Sequence, residues 1–202
     1  MAVELVDLRE AGITRVRVHY SDLLGTTRAK VIPLELLEEA AEGGINFCVS
    51  VFSIDHTGVM PDGTGLRDEL QYRDMQVLPD LSTLRIVPWE RETALCIGDC
   101  VFDGGPLPAD PRGILKRAIA EGEQHGLRIA CGHELEFFLL RPNANGGYDR
   151  YVSSPGLVYR MDPRVDPHGV IRQMEDAVRG LDRKSTRLNS SHIQKSRMPS
   201  SA

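Results

Sequence analysis

The sequence predicts an α+β fold, in which a small mixed sheet carrying one helix is followed by the opening of an α/β domain. Three features carry that expectation. Apolar and polar residues alternate from Ile13 to Tyr20 and again from Thr93 to Phe102, the period-two pattern of half-buried strands. Between them a helical stripe of Leu34, Leu37, Ala40 and Ala41 opens at Pro33 and stops at Gly43-Gly44, with Pro at the start and Gly past the end, as helices prefer. A Gly/Pro linker, Asp103 to Pro108, then precedes a second helix start at Asp110-Pro111, where Asp suits the N-cap and Pro the first helical position.

In chain order, Val16, Val18 and Tyr20 face one side of the first strand and Arg15 and Arg17 the other. The turn Leu24-Gly25-Thr26-Thr27 leads into a second strand, Arg28 to Ile32. Asn46 to Phe52 is expected to be a third strand, followed by a long loop rich in Asp, Gly and Pro. Further strands are expected at Leu84 to Val87 and Thr93 to Phe102, the latter setting Leu95, Ile97 and Val101 opposite Ala94, Cys96 and Cys100. Beyond the linker, Ile114, Leu115, Ala118 and Ile119 give the second helix an apolar stripe, and Gly126 lies where a left-handed residue ends it. Strands at Leu127 to Ala130 and Glu134 to Leu140, an Asn-Gly-Gly turn, and a last helix from Asp166-Pro167 with Val170, Met174 and Val178 complete the pattern. The expected organisation is an N-terminal extension over 1–12, a first domain over 13–103, the start of a second over 109–181, and a tail over 182–202.

Composition narrows the function. The chain has 202 residues, 41% hydrophobic and 26% charged, with a net charge of −5, which is ordinary globular usage. That charge argues against nucleic acid, whose phosphates need clustered Lys and Arg. No apolar run approaches the length of a membrane span, and Met1 to Glu10 carries Glu4, Asp7, Arg9 and Glu10 with no signal core. The expected location is therefore cytoplasmic. Cys48, Cys96, Cys100 and Cys131 form no CxxC pair. Cys96 and Cys100 share a strand face but lack a second ligand pair at zinc spacing, so buried free thiols account for them better. Gly63-Thr64-Gly65 is no phosphate loop, since no Lys-Ser/Thr follows it.

The segment from Asp182, DRKSTRLNSSHIQKSRMPSSA, is dominated by Ser, Arg and Lys and has little apolar periodicity. It reads as a disordered basic tail. It also reads as something more specific: codons exist with which DRKSTRLNSSH and SRMPSSA both spell a common sequencing-library adapter. Ile193 to Lys195 would then cover its index. On that reading the gene is interrupted near Leu181, and the tail is artefactual and takes no part in the fold.

The chemistry centres on His133-Glu134-Leu135-Glu136-Phe137-Phe138-Leu139. On a strand, Glu134 and Glu136 point to one face with Cα atoms ~6.6 Å apart, a spacing suited to two neighbouring cations. Leu135, Phe137 and Leu139 would anchor the opposite face in a core. Carboxylates beside so apolar a stretch are costly unless a cation meets them. The pattern alone fits better a solvent-facing strand with ordinary exposed glutamates.

Gly132 to Leu139 resembles the G-x-E-x-E-F-F-L strand of glutamine synthetases. Asp22, Gly25, Arg28 and Lys30 match that family's first hairpin. Asp74-Met75, Pro79-Asp80 and Thr83 match its approach to Pro88-Trp89, and Asp110-Pro111-Arg112 matches the D-P-R opening of its catalytic domain. The similarity spans Ile13 to Leu181, and the joint order is more specific than any single motif. The resemblance implies a small β-grasp domain followed by the truncated start of an α/β catalytic domain. It implies an ATP-dependent ligase: the γ-carboxylate of glutamate is phosphorylated, and ammonia or an amine then displaces phosphate. Mg²⁺ or Mn²⁺ would neutralise the repulsion between polyphosphate and carboxylate. By position Glu136 corresponds to the ligand for the ion nearer glutamate and Glu134 to that for the ion on the ATP side. No histidine present, His133 included, matches the family's metal histidine, and the remaining ligands lie downstream in the family, so this chain alone is expected to be inactive.

Asp55 is the other residue carried over. Family members have an Asp-Gly-Ser-Ser loop that reaches a neighbouring subunit's active site, where its Asp binds and deprotonates ammonium. Here the loop reads Phe52-Ser53-Ile54-Asp55-His56-Thr57-Gly58, keeping the Asp and losing Gly-Ser-Ser. It resembles the branch that joins glutamate to organic amines, such as the γ-glutamylpolyamine synthetases. The resemblance also implies a homo-oligomeric ring. A non-catalytic structural or regulatory relative and a free-standing β-grasp binding module are the alternatives. Deleting residues 182–202 is expected to leave the melting temperature unchanged in a calorimetric scan; a clear drop would mean the tail is part of the fold.

Overall fold

The structure, a computed structural model, describes residues 5–130, 137–152 and 163–181. It divides into two compact units, Met1–Ile129 and Ala130–Ala202. The first is built on a mixed sheet of α1 (Leu5–Glu10), β1 (Arg15–Ser21), β2 (Thr27–Pro33), α2 (Leu37–Gly43), β3 (Ile45–Cys48), β4 (Asp74–Ile86), β5 (Thr93–Phe102), β6 (Gly105–Pro106) and α3 (Pro111–Gln124). The strand order is β2-β1-β5-β4-β3, with β6 paired to β5. β1 runs antiparallel to β2 but parallel to β5, from Arg15 opposite Thr93 to His19 opposite Ile97.

The alternation seen in the sequence places the core. Val16, Val18 and Tyr20 of β1 and Ala94, Cys96 and Cys100 of β5 are buried on one face. Leu34 and Leu37 from a 3₁₀ turn and α2 close over them, with Met75 and Val77 of β4. Each large apolar side chain buried this way contributes about 1.5–3 kcal/mol. Leu8 of α1, a helix the sequence pattern did not suggest, is also fully buried there. Tyr20 stands edge-on to Phe47 at 5.1 Å between ring centroids and stacks on Phe52 at 5.5 Å, favourable ring geometries. Gly44 ends α2 at φ +78°, where a Cβ would meet that of Gln76 at 2.6 Å.

Three elements differ from expectation. The third strand stops at Cys48, and Val49–Ser53 forms a 3₁₀ helix that buries Val49 and Phe52. The fourth begins ten residues earlier than the run from Leu84 suggested, at Asp74. Pro79 and Asp80 read as loop because Pro cannot donate to a ladder. The strand accommodates them with a register shift between Asp80 and Arg85, and Thr83 fills the gap. Its Oγ1 accepts from Ile97 N at 2.8 Å and donates to the carbonyl of Asp80 at 2.7 Å. Leu127 to Ala130, expected as a strand, has no sheet pairing among the described residues.

The helix after the linker begins as its sequence dictates. Asp110 caps it, its Oδ1 accepting from Arg112 N at 3.1 Å while Oδ2 accepts from Cys100 N at 3.3 Å. Gly126 beyond its end has φ +71°. Its apolar stripe does not face a core, however: Ile114, Leu115 and Ile119 are exposed. Its ion pairs reach β4 and β5 instead. Arg112 bridges Asp80 (2.5 Å) and Asp99, and Lys116 pairs with Asp99 at 2.7 Å.

In the second unit β7 (Leu140–Pro142) and β8 (Tyr148–Arg150) form a hairpin around the expected Asn145-Gly146-Gly147 turn, and α4 (Val170–Leu181) follows. Asp166 caps α4 through the amides of Val170 (2.8 Å) and Ile171 (3.0 Å) and accepts from the Tyr151 hydroxyl at 2.7 Å. No helix among the described residues is long and apolar enough to cross a membrane.

Asp110→Ala removes the cap of α3 and strands a buried amide on β5. It is expected to cost about 2 kcal/mol and to lower the melting temperature by about 5 °C; an unchanged value in thermal unfolding would show that the cap carries no stability.

Candidate functional site

The site is built around Asp55, two residues beyond the 3₁₀ helix Val49–Ser53. That helix is fixed by burial of Val49 and Phe52 and by the Ser53 hydroxyl donating to the Ser50 carbonyl at 2.7 Å. The chain then turns tightly. Gly58 N donates to Asp55 O (3.1 Å) and Asp55 N to Val59 O (2.8 Å).

Within this turn the carboxylate is used on one side. Oδ1 accepts from Thr57 N (2.8 Å), Thr57 Oγ1 (2.6 Å) and Val59 N (3.0 Å). Among the described residues Oδ2 accepts no hydrogen bond. The Thr57 hydroxyl, then the Val59 amide, hold the Asp55 carboxyl below the usual carboxylate range, because each favours the charged form. The result is a carboxylate anchored through one oxygen, with the other accepting no hydrogen bond among the described residues. The exposed Val59 side chain stands in the same turn.

The following loop is held by Arg67. Its guanidinium donates to the Met60 carbonyl at 2.5 Å and to Asp68 at 2.7 and 3.0 Å, and pairs with Asp62. Gln71 and Tyr72 close it in the left-handed region, both at φ +53°, a conformation that costs non-glycine residues energy.

The motif residues of the first hairpin have structural work. Asp22, 2% exposed, accepts from Leu24 N (3.0 Å) and Thr26 N (2.8 Å) through Oδ1 and from Arg28 Nε (2.9 Å) through Oδ2. Gly25 provides the positive φ of the turn. Lys30 lies over the Phe47 ring at 4.8 Å from its centroid. Cys96 and Cys100 are buried free thiols, and burial pushes both upward from the ordinary thiol range.

Glu134 and Glu136 lie outside the described residues, as do His133 and Cys131. Among the described residues no group of three or more His, Cys, Asp and Glu is placed to hold a metal ion. Phe137, expected to anchor the paired-glutamate strand in a core, is 52% exposed, because residues 137–139 have no sheet partner among the described residues. Thr57, Arg67 and the Arg112 ion pairs escaped the sequence reading. Thr57 carries a legible signal, since Asp followed two residues later by Thr favours a side-chain-capped turn. Arg67 has its acidic partners close in sequence, at Asp62 and Asp68, whereas Arg112, legible as a motif residue, has partners at Asp80 and Asp99 that only the folded path brings near.

Residues 108–186 match the glutamine synthetase catalytic domain, running past Leu181, where the sequence suggests the break. The chain is 31% identical over 168 residues to the glutamine synthetase of Rhizobium meliloti (strain 1021), which covers 83% of the chain and 36% of that protein. The chain belongs to the glutamine synthetase family. It is also 33% identical over 136 residues to the glutamate–isopropylamine ligase of Pseudomonas sp, covering 66% of the chain and 30% of that protein. Among solved structures it resembles the GmaS/ADP complex, with a TM-score of 0.50 and 27% identity over 62% of the chain and 26% of that structure. This family member thus spans about a third of the length of the relatives it matches.

Asp55→Ala should release the amides of Thr57 and Val59 to hydrogen exchange, whereas Asp55→Asn, which keeps an acceptor oxygen, should leave them protected. Protection surviving in the alanine variant would show that the carboxylate does not hold the turn.

Proposed function

We propose that this chain is part of an ATP-dependent ligase that joins the γ-carboxylate of glutamate to ammonia or an amine through γ-glutamyl phosphate. The observation that carries the reading is Asp55: a single carboxylate, fixed at one oxygen and open at the other, which keeps the Asp of the family's amine-binding loop. The fold agrees, since a mixed sheet with a parallel β1–β5 pair and one crossing helix is what a β-grasp domain requires.

In this scheme Asp55 binds the protonated amine by charge and takes one proton from it, freeing the lone pair that attacks the acyl phosphate, and the newly bonded nitrogen gives its second proton to water. The new C–N bond forms as the C–O bond to phosphate breaks, and phosphate leaves with the bonding pair. Glu134 and Glu136 would hold Mg²⁺ or Mn²⁺; two carboxylates and no sulfur form a donor set that fits hard cations. When bound, such ions neutralise the polyphosphate and polarise the transferred group. ATP and glutamate are co-substrates, and the complete protein is expected to be a cytoplasmic homo-oligomeric ring whose Asp55 loop serves a neighbouring subunit.

The amine is proposed to be larger than ammonia. Asp-His-Thr-Gly replaces the small Asp-Gly-Ser-Ser wall, and exposed Val59 adds an apolar surface beside the carboxylate. An alkyl amine or polyamine gains from that surface, whereas ammonium does not. The relative that acts on isopropylamine supports the same reading.

In the complete protein that carries this segment, Glu136→Ala and Glu134→Ala should each lower turnover by about a hundredfold or more without unfolding the protein. Putrescine should win over ammonium in a competitive phosphate-release assay, judged by kcat/KM. Near-normal rates in both variants would return the glutamates to a structural role, and a preference for ammonium would leave plain glutamine synthesis.

A further inference from the structure

We propose that Thr57 is a positioning residue for the amine, its hydroxyl and amide pinning one oxygen of the Asp55 carboxylate so that the other is presented to a cationic nitrogen. The inference rests on the reading of Asp55 as the amine-binding group.

Three distances support it. Thr57 supplies two of the three donors on Oδ1, and its hydroxyl contact, at 2.6 Å, is the shortest of them. A carboxylate on an exposed loop otherwise rotates about χ2, whose energy profile is broad. Two donors from one residue, and a third from Val59, remove that freedom before any ligand arrives. The ordering cost of binding is thereby met by the fold rather than by the amine.

The same contacts set the proton affinity of the group. Three donors stabilise the carboxylate form, with the Thr57 hydroxyl the largest influence. Asp55 therefore keeps its charge at lower pH than an ordinary Asp, and it favours pairing with an ammonium over holding its proton. One proton must leave the bound ammonium before its nitrogen has a lone pair with which to attack, and Asp55 takes it; a second is lost to water once the C–N bond has made the nitrogen cationic again. Loss of the hydroxyl shifts the balance the other way, with a higher midpoint and a mobile carboxylate.

The test compares Thr57→Val, which keeps the shape and loses the hydroxyl, with Thr57→Ser, which keeps the hydroxyl. Carboxyl carbon resonances of Asp55 are titrated by NMR in the 202-residue chain; kinetics are measured in the complete ligase carrying the same substitutions. Thr57→Val is expected to raise the Asp55 midpoint, raise the amine KM by roughly three- to tenfold, and leave the KM for glutamate unchanged. Thr57→Ser is expected to behave as wild type in all three. An unmoved midpoint in Thr57→Val, or a serine variant as impaired as the valine one, overturns the role of the hydroxyl. Asp55→Asn separates this inference from the reading beneath it. If the amine KM is unchanged in Asp55→Asn, the amine-binding role falls, and with it the purpose given to Thr57. If it rises there but Thr57→Val is silent, Thr57 alone falls.

Discussion

The parallel pairing of β1 with β5 is the constraint from which the first unit follows. Parallel neighbours cannot be joined by a tight turn, so the chain between Ser21 and Thr93 must cross over and return. That crossover contains β2, α2, β3, the Asp55 loop and β4. Its two ends are locked by apolar faces that mesh, Val16 and Val18 against Ala94 and Cys96. Arg15 adds a polar lock at the same place, donating to Thr93 Oγ1 at 2.9 Å. The Asp55 loop is thus a long excursion, but one that starts from a buried 3₁₀ helix and ends on the central strands.

This anchoring explains how an exposed loop can hold a carboxylate in a defined orientation. Val49 and Phe52 seat the start of the loop in the core, and Leu66 and Leu70 pack partly against it further on. Arg67 gathers three loop groups around one guanidinium. Exposed ion pairs are individually weak, so the fixed geometry comes mainly from the apolar anchors and backbone turns, with charge selecting the path between them.

Much of the fold was legible because local pattern and global fold agree there. β1 and β5 alternate cleanly, α2 is bracketed by Pro33 and Gly44, and Asp110-Pro111 marks a helix start that the cap geometry bears out. β4 was half hidden, since Pro79 and Asp80 read as loop and only the folded register shows that a bulge and Thr83 make them tolerable. The stripe on α3 misled, because apolar spacing shows that a helix is amphipathic and not which partner covers it. Of the site, Asp55 was visible by its place in a motif, whereas the division of labour between its two oxygens is a property of three-dimensional hydrogen bonding.

Gly98 lies on β5 opposite Pro79 of β4. A Cβ there would sit 2.2 Å from Val77 Cγ1 and 3.2 Å from the Leu78 carbonyl oxygen. Val is stiff at χ1, so it cannot swing aside within a packed sheet. The two positions are therefore coupled sterically: a side chain at 98 needs a smaller residue at 77 and a small shift of the strand away from the Leu78 carbonyl. A glycine that looks like a gap in an otherwise regular strand is thus space already filled by the side chain of Val77.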